Sequence, residues 1–377
     1  MRTTLLVFSF IFFSAICNAQ LYAGFRASRI LSSYPNGQFP NEDYWSNTGH
    51  SIANKFPGSV PAAVWIVSLY NDNGIINMSF PSGGLSIPYV NFSSTDKNES
   101  YLTRFDTEGI KVWLQVEPGA ANMDTIISIV LNRYKTHPCI AGFGIDVEWL
   151  NTQTYSGGQH VTDSMAQRWE QKVKAVDSNY SLFLKHYSTS RMPPVYRGSI
   201  LFVDDSQDFP SLTSMRNEFV AWGNTFSPNP VAFQFGYTID QAWWGLYADP
   251  MTTIGNELLS NISNCHGLFW VDFTINTLFP VNVLNNSSNN PIVRLENFPN
   301  PCTNETEINY YLPVSSHVLI KIIDAGGKEI KILDDENKTA GKYSVKLFTD
   351  GLTNGNYSIC LEAGKVKVTK QFTIVKK

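Results

Sequence analysis

The sequence predicts an α/β protein: a (β/α)8 TIM-type barrel followed by a small C-terminal β-sandwich. Three observations carry this. Residues 20–280 form a stretch of the size usual for such a barrel, roughly 250 residues. Eight apolar β-type runs within it alternate with segments of helical character. After an Asn-rich break, the chain closes on short period-two runs separated by Gly turns, the pattern of a sandwich. Composition agrees, because 377 residues that are 43% hydrophobic and 16% charged can bury sizeable cores. A net charge of −4 leaves no basic field for nucleic acid or an anionic membrane.

Met1-Arg2, the apolar run Leu5 to Ile16 and the small residues up to Ala19 read as a secretory signal peptide, residues 1–19. The run is too short to span a membrane. Export permits disulfides. Cys139, Cys265, Cys302 and Cys360 are too sparse for a disulfide scaffold and lack zinc-site spacing. Cys302 and Cys360 share the terminal segment and can pair, whereas Cys139 and Cys265 are expected to be free and buried.

The eight runs are Leu21 to Ala27, Ala62 to Leu69, Ile110 to Val116, Ile140 to Glu148, Tyr180 to Tyr187, Ile200 to Asp205, Val231 to Tyr237 and Gly267 to Phe273. Most are near-continuously hydrophobic, as strands covered on both faces should be. Val161 to Val176 is the clearest helix, with Thr162 as cap and Met165, Trp169, Val173 and Val176 at helical steps. Asp249-Pro250 starts another. A doubly wound open sheet is the alternative, but no Gly-rich phosphate turn follows the first run. Residues 281–293, with Asn285-Asn286-Ser287-Ser288-Asn289-Asn290-Pro291, read as a linker. The sandwich, 294–377, is built from Ile308 to Leu312, Val318 to Ile323, Tyr343 to Leu347, Tyr357 to Leu361 and Lys365 to Val375.

This terminal segment closely resembles the C-terminal sorting domain of the bacterial type IX secretion system. The resemblance rests on Asn297-Phe298-Pro299-Asn300-Pro301, Ile323-Asp324 with Gly327-Lys328-Glu329, Gly341-Lys342-Tyr343, Leu352 with Gly355-Asn356-Tyr357, and the basic end Lys376-Lys377. It implies export across the outer membrane of a Bacteroidetes-like bacterium, to the medium or the cell surface, with the secretion machinery as partner. An accessory sandwich that binds carbohydrate is the alternative.

Chemistry in a barrel of this kind gathers at the C-terminal ends of the strands. Here the third run ends in Gln115-Val116-Glu117, the fourth in Asp146-Val147-Glu148-Trp149 and the fifth in Lys185-His186-Tyr187. The sixth ends in Asp204-Asp205-Ser206-Gln207, the seventh in Gln234-Phe235-Gly236-Tyr237, and the eighth carries Trp270-Val271-Asp272. Six such clusters would bury many polar groups to no purpose unless they line a wet cleft. In a strand, residues i and i+2 share a face, so Asp146 and Glu148 both enter the mouth. Like charges that close push one proton affinity up, which lets one group act as acid while the other stays ionised. Glycosidic cleavage uses that division. A structural carboxylate pair bound to Lys185 is the alternative.

Ala141-Gly142-Phe143-Gly144-Ile145-Asp146-Val147-Glu148 resembles the strand-4 signature of the family 18 glycoside hydrolases, the chitinases and endo-β-N-acetylglucosaminidases, D-G-x-D-x-D-x-E. Gly142, Asp146 and Glu148 match; Ala141 and Gly144 replace the first two acids. The resemblance implies Glu148 as general acid, Asp146 as holder of the substrate acetamide, Tyr237 with Gln234 as its support, and Trp270 as the floor of the sugar site. The missing acid at Gly144 departs from the substrate-assisted pattern. A different enzyme reading keeps Glu148 and takes the second carboxylate from Asp205, Asp204 or Asp272. Gln115, Glu117, Lys185, Tyr187 and Gln207 are further candidates for binding substrate, and His186 for acid–base work or a structural role. Trp149, Trp243 and Trp244 are stacking platforms or packing residues. With 6 His, none clustered, and no HExxH, no metal or other cofactor is expected. A monomeric, secreted glycoside hydrolase acting on a polysaccharide or glycan is the expectation. A glycan-binding barrel without activity is the alternative.

Overall fold

The computed structural model describes residues 20–280 and 293–376, apart from Pro313, Ala325, Gly326 and Lys365. The expected signal peptide and all but the last residue of the expected linker lie outside the described residues. The chain divides into two compact units.

The first unit is a closed barrel of eight parallel strands. They are β1 (Tyr22–Ala27), β2 (Val60–Tyr70), β3 (Lys111–Val116), β4 (Ile140–Asp146), β5 (Ser181–Lys185), β6 (Leu201–Asp204), β7 (Val231–Phe235) and β8 (Cys265–Val271). Each pairs with the next, and β1 pairs with both β8 and β2, which closes the ring. Two short strands, Ile76–Met78 and Val90–Phe92, extend the sheet beyond the end of β2.

The helices of seven residues or more are α1 (Glu42–Ala53), α2 (Glu99–Glu108), α3 (Met123–Tyr134), α4 (Asp163–Val176), α5 (Leu212–Phe226), α6 (Pro250–Asn261) and α7 (Asp272–Leu278); a single helical turn, Gln241–Trp244, precedes α6. Thr162 caps α4 by accepting from the Met165 amide, and Asp249 caps α6 by accepting from Thr252, with Pro250 at the first turn. Between β5 and β6 a 3-10 turn, Thr189–Arg191, replaces the crossover helix. No helix of the described residues is long and apolar enough to cross a membrane.

The strands are buried on both faces, which is why their sequences do not alternate. Ala62, Val64, Trp113, Phe183, Leu201, Val203, Ala232 and Phe269 fill the barrel. The buried Trp113 Nε1–H donates to Ser181 Oγ at 2.8 Å. The intervening residues, such as Phe143, Ile145, Phe202, Phe233 and Trp270, point outward and pack under the helices. Gly144 faces inward opposite Phe183, whose ring fills the space a side chain at 144 would occupy.

The second unit contains two antiparallel sheets. One joins β9 (Arg294–Phe298), β10 (Glu305–Leu312) and β13 (Gly341–Phe348) in that order. The other has the order β12 (Glu329–Lys338), β11 (Ser316–Asp324), β14 (Gly355–Ala363), β15 (Val366–Ile374). Alternating residues such as Ile308, Leu312, Ile320, Ile322, Ile359 and Leu361 form its core. The strands β9 and β12 have no counterpart in the sequence reading, because β12 is mostly exposed and polar. Cys302 and Cys360 are both free thiols, so the pairing considered for them does not form; Cys139 is free and buried, Cys265 free and half-buried.

Candidate active site

Polar side chains converge at the C-terminal mouth of the barrel. Arg26 closes β1, Gln115 and Glu117 close β3, Asp146 closes β4 and Lys185 closes β5. Asp205 follows β6, Gln234 lies in β7, and Tyr237 follows it. All eight are buried. Register explains the grouping, since Asp146 pairs with Lys185 on the inward face that carries Phe183 one layer below.

Lys185 is the centre of the cluster. Its Nζ lies 2.8 Å from Asp146 Oδ2 and forms a close ion pair with Asp205 Oδ2. Gln115 Nε2 donates to Asp146 Oδ2 and the Tyr237 hydroxyl to Asp205 Oδ2, each at 3.3 Å. Asp146 Oδ1, Asp205 Oδ1, Gln115 Oε1, both amide atoms of Gln234 and Nε and Nη1 of Arg26 have no hydrogen-bond partner. Buried polar atoms are nearly always partnered, so such a concentration marks a place built for polar contacts from outside the chain.

Burial and charge divide the acids. Burial pushes Asp205 up, but the ammonium of Lys185 outweighs it and holds the carboxyl below its usual range. Burial raises Asp146, against the pull of Lys185. Burial, then the charge of Asp146, pushes Glu117 up to about 7. Glu117 Oε2 accepts from the Tyr70 amide at 2.6 Å. Glu148 is half-buried and is also pushed up to about 7 by burial, with Lys185 opposing. Burial pulls the proton affinity of Lys185 down, and the two aspartates more than reverse this.

The strand ends at Asp146, and Glu148 sits in a 3-10 turn, Val147–Trp149. The expected extension of the strand to Glu148 is therefore corrected. Glu148 still lies within the field of Lys185, Asp146, Asp205 and Arg26. Trp149 beside it stacks on Tyr70, with ring centroids 5.0 Å apart and planes at 24°. The turn is fixed to the loop after β3, since the Asn151 amide donates to the Gly119 carbonyl at 2.8 Å.

Several expected site residues lie elsewhere. Trp270 points outward, fully buried, against Trp244 and Phe235, and its Nε1–H donates to Thr274 Oγ1 at 2.8 Å. Its placement as the floor of a sugar site is corrected by strand alternation, because inward positions of β8 belong to Phe269 and its like. Asp204 faces outward with Phe202 and accepts from the Ser206 amide and hydroxyl at 2.8 and 2.6 Å. Burial pushes it up to about 8. Asp272 starts α7 and is occupied by the amide and hydroxyl of Ser28, at 2.6 and 2.7 Å, and by the Tyr34 hydroxyl. His186 is engaged at both nitrogens, by the Gly157 carbonyl and the Ser188 amide, each at 2.8 Å. Tyr187 and Gln207 are exposed on loops, Trp243 is half-buried and Trp244 is packed.

Arg26 escaped the sequence reading. It lies 3.6 Å from Asp272 and 5.0 Å over the Phe273 ring, and it faces Asp146 and Glu117. Nothing in Gly24-Phe25-Arg26-Ala27 signals a buried guanidinium. Among the described residues one set brings metal-ligating atoms together, Asp106, His137 and Cys139. It lies at the opposite end of the barrel. There Asp106 meets His137 Nδ1 at 2.6 Å and accepts from the Cys139 amide at 2.8 Å, which anchors the α3–β4 loop on α2.

Residues 296–376 match the family model of the secretion system C-terminal sorting domain. The C-terminal sandwich is a sorting domain. It directs the chain across the outer membrane by the type IX route, to the cell surface or beyond. A comparison with curated proteins finds no match. Similar solved structures include an endo-beta-1,4-mannanase from Thermotoga petrophila, 9% identical over 96% of this chain and 99% of that one, with a TM-score of 0.34. An endo-fucoidan hydrolase of glycoside hydrolase family 107 is 9% identical over 95% of this chain and 67% of that one, TM-score 0.39. A putative beta-galactosidase from Bacteroides fragilis is 9% identical over 76% of this chain, TM-score 0.34, and this chain covers 49% of its length.

Proposed function

We propose that the barrel is a secreted glycoside hydrolase in which Glu148 is the general acid. One observation carries the reading: Glu148, pushed up to about 7, stands at the mouth beside Asp205, which Lys185 holds ionised. Two carboxyls with proton affinities pushed apart are what glycosidic cleavage requires. Glu148 hands its proton to the glycosidic oxygen as the bond to the leaving sugar breaks. Asp205, with Oδ1 unpartnered, meets the positive charge that develops at the anomeric carbon; water then adds there and gives its proton to the Glu148 carboxylate, which restores the acid. Asp146 shares the Lys185 ammonium with Asp205 under the sugar. The unpartnered atoms of Gln115, Gln234 and Arg26 offer donors and acceptors to ring hydroxyls. Trp149 stacked on Tyr70 gives an apolar face at the rim.

The finer reading, a chitinase-like mechanism assisted by a substrate acetamide, asks Asp146 to bind the acetamide with Tyr237 in support. It is the less favoured form, because Asp146 is engaged by Lys185 and the Tyr237 hydroxyl turns to Asp205. A glycan-binding barrel without activity is the second reading. It is favoured by the near-complete burial of the Asp146–Lys185–Asp205 cluster.

Incubating the full chain with a panel of chromogenic glycosides and polysaccharides, with binding measured on the same panel, separates the two. Hydrolysis of at least one substrate is expected. Binding without cleavage across the panel would establish the second reading instead.

A further inference from the structure

We propose that Lys185 is the positioning residue of this site, holding Asp146 and Asp205 side by side with one oxygen of each turned to the bound sugar. This rests on the glycoside hydrolase reading above.

The geometry is specific. Lys185 stands on β5, between Asp146 at the end of β4 and Asp205 just past β6. Its ammonium contacts the Oδ2 atom of both. The secondary donors, Gln115 and Tyr237, go to the same two Oδ2 atoms. Every contact the chain makes with these carboxyls therefore falls on Oδ2, and Oδ1 of each is left without a partner. An orphaned buried oxygen costs on the order of 1–3 kcal/mol; Asp204 Oδ2 and Asp272 Oδ1 are orphaned as well, but at Asp146 and Asp205 two such carboxyls share one ammonium. A buried charge cluster is also a poor stabilising device, because desolvation cancels much of the attraction. The layer below shows the apolar option at once, with Phe183 paired to Leu201 in the barrel core.

A lysine suits this task. A compact ammonium with three donors sits between two carboxyls on flanking strands, whereas a planar guanidinium prefers one carboxylate face-on. The single charge also fixes how protons are shared. The groups that face Lys185 are Arg26 from β1, Glu117 just after β3, Asp146 from β4, Glu148 from the turn after it, His186 next to it in the chain, Asp205 after β6 and Tyr237 after β7. Without the ammonium, Asp146 and Asp205 both lose the charge that draws their proton affinities down. Glu148 at the same time loses the cation that opposes its rise.

The test is the pH profile of kcat/KM for the full chain and its Lys185→Met and Lys185→Arg variants, on whichever glycoside or polysaccharide of the panel the wild type cleaves. Lys185→Met is expected to lose ~10²-fold or more at pH 7, the scale of one lost electrostatic contact in a site. Both limbs of its profile should move to higher pH by about one unit or more. Lys185→Arg restores the cation and should return the limbs towards their wild-type positions. Unmoved limbs in Lys185→Met, with a rate that merely follows the loss of folded protein, would overturn the proposal and leave the hydrolase reading intact. If Lys185→Met does not fold, the Asp146→Asn/Lys185→Gln double variant removes one charge of each sign. Its acidic limb must still rise, or the proposal fails. A wild type that cleaves nothing on the panel removes the hydrolase reading itself, and this proposal with it.

Discussion

Glu117 and Glu148 are both held near a pKa of 7, chiefly by burial, and this links catalysis to stability. A general acid works while protonated, so kcat/KM should fall as pH rises through about 7, the value to which Glu148 is pushed. A profile flat from pH 6 to 9 would contradict that role. The stability consequence has the same sign. Both groups bind their proton more tightly folded than unfolded. Their contribution is therefore fully present below the ordinary carboxyl range, near 4.5, and is lost as pH rises through about 7. Glu117→Gln keeps an acceptor for the Tyr70 amide and removes the titration. Its thermal midpoint should fall less between pH 5 and pH 8 than that of the wild type, and scanning calorimetry at both pH values measures this. Glu148 and Asp146 were legible in the sequence because two acids close an otherwise apolar run. Arg26 was not, because a single cation at a strand end looks like any solvated cap until the ring closes over it.

Strand alternation decides much of what the sequence left open. In β8, Phe269 faces in and Trp270 faces out, yet Leu268 to Val271 reads as one unbroken apolar run. Parity cannot be read from a strand buried on both faces, which is how Trp270 came to be expected in the site. The same packing explains a departure from the family 18 signature. A Cβ on Gly144 would lie 2.0 Å from the Phe183 ring, so the acid of that signature has no room here. Gly144→Asp should not restore activity. It should lower stability by about 1–3 kcal/mol or more, the usual cost of overpacking, seen as a lower midpoint in urea. Unchanged stability with a gain in activity would show that Phe183 yields easily. The 3-10 turn at Glu148 likewise lies past the reach of period-two reasoning, although the strand starts and the caps at Thr162 and Asp249 were visible from local chemistry.

At the scale of the molecule, two units with separate cores serve separate purposes. The order of short motifs from Asn297 to Lys376 was specific enough to place the sorting domain from sequence, because turn residues at fixed spacing are set by the local backbone. The chemistry of the barrel was less legible, since it depends on residues from six strands meeting at one end. Deleting residues 294–377 should leave the thermal midpoint of the barrel unchanged within about 2 °C, as expected of a unit with a hydrophobic core of its own. The same deletion should keep the chain from crossing the outer membrane, read by fractionating cells that express it. A collapse of barrel stability on deletion would show that the units depend on each other.

In the proposed mechanism Glu148 delivers the proton that breaks a glycosidic bond. The most direct measurement is kcat of Glu148→Gln against wild type on a cleaved substrate, with folding checked by circular dichroism. A loss of ~10²-fold or more, the usual share of general acid catalysis, is expected in a protein that folds and still binds the substrate. A Glu148→Gln protein that turns over at the wild-type rate would contradict it, and would move the search for the acid to Glu117.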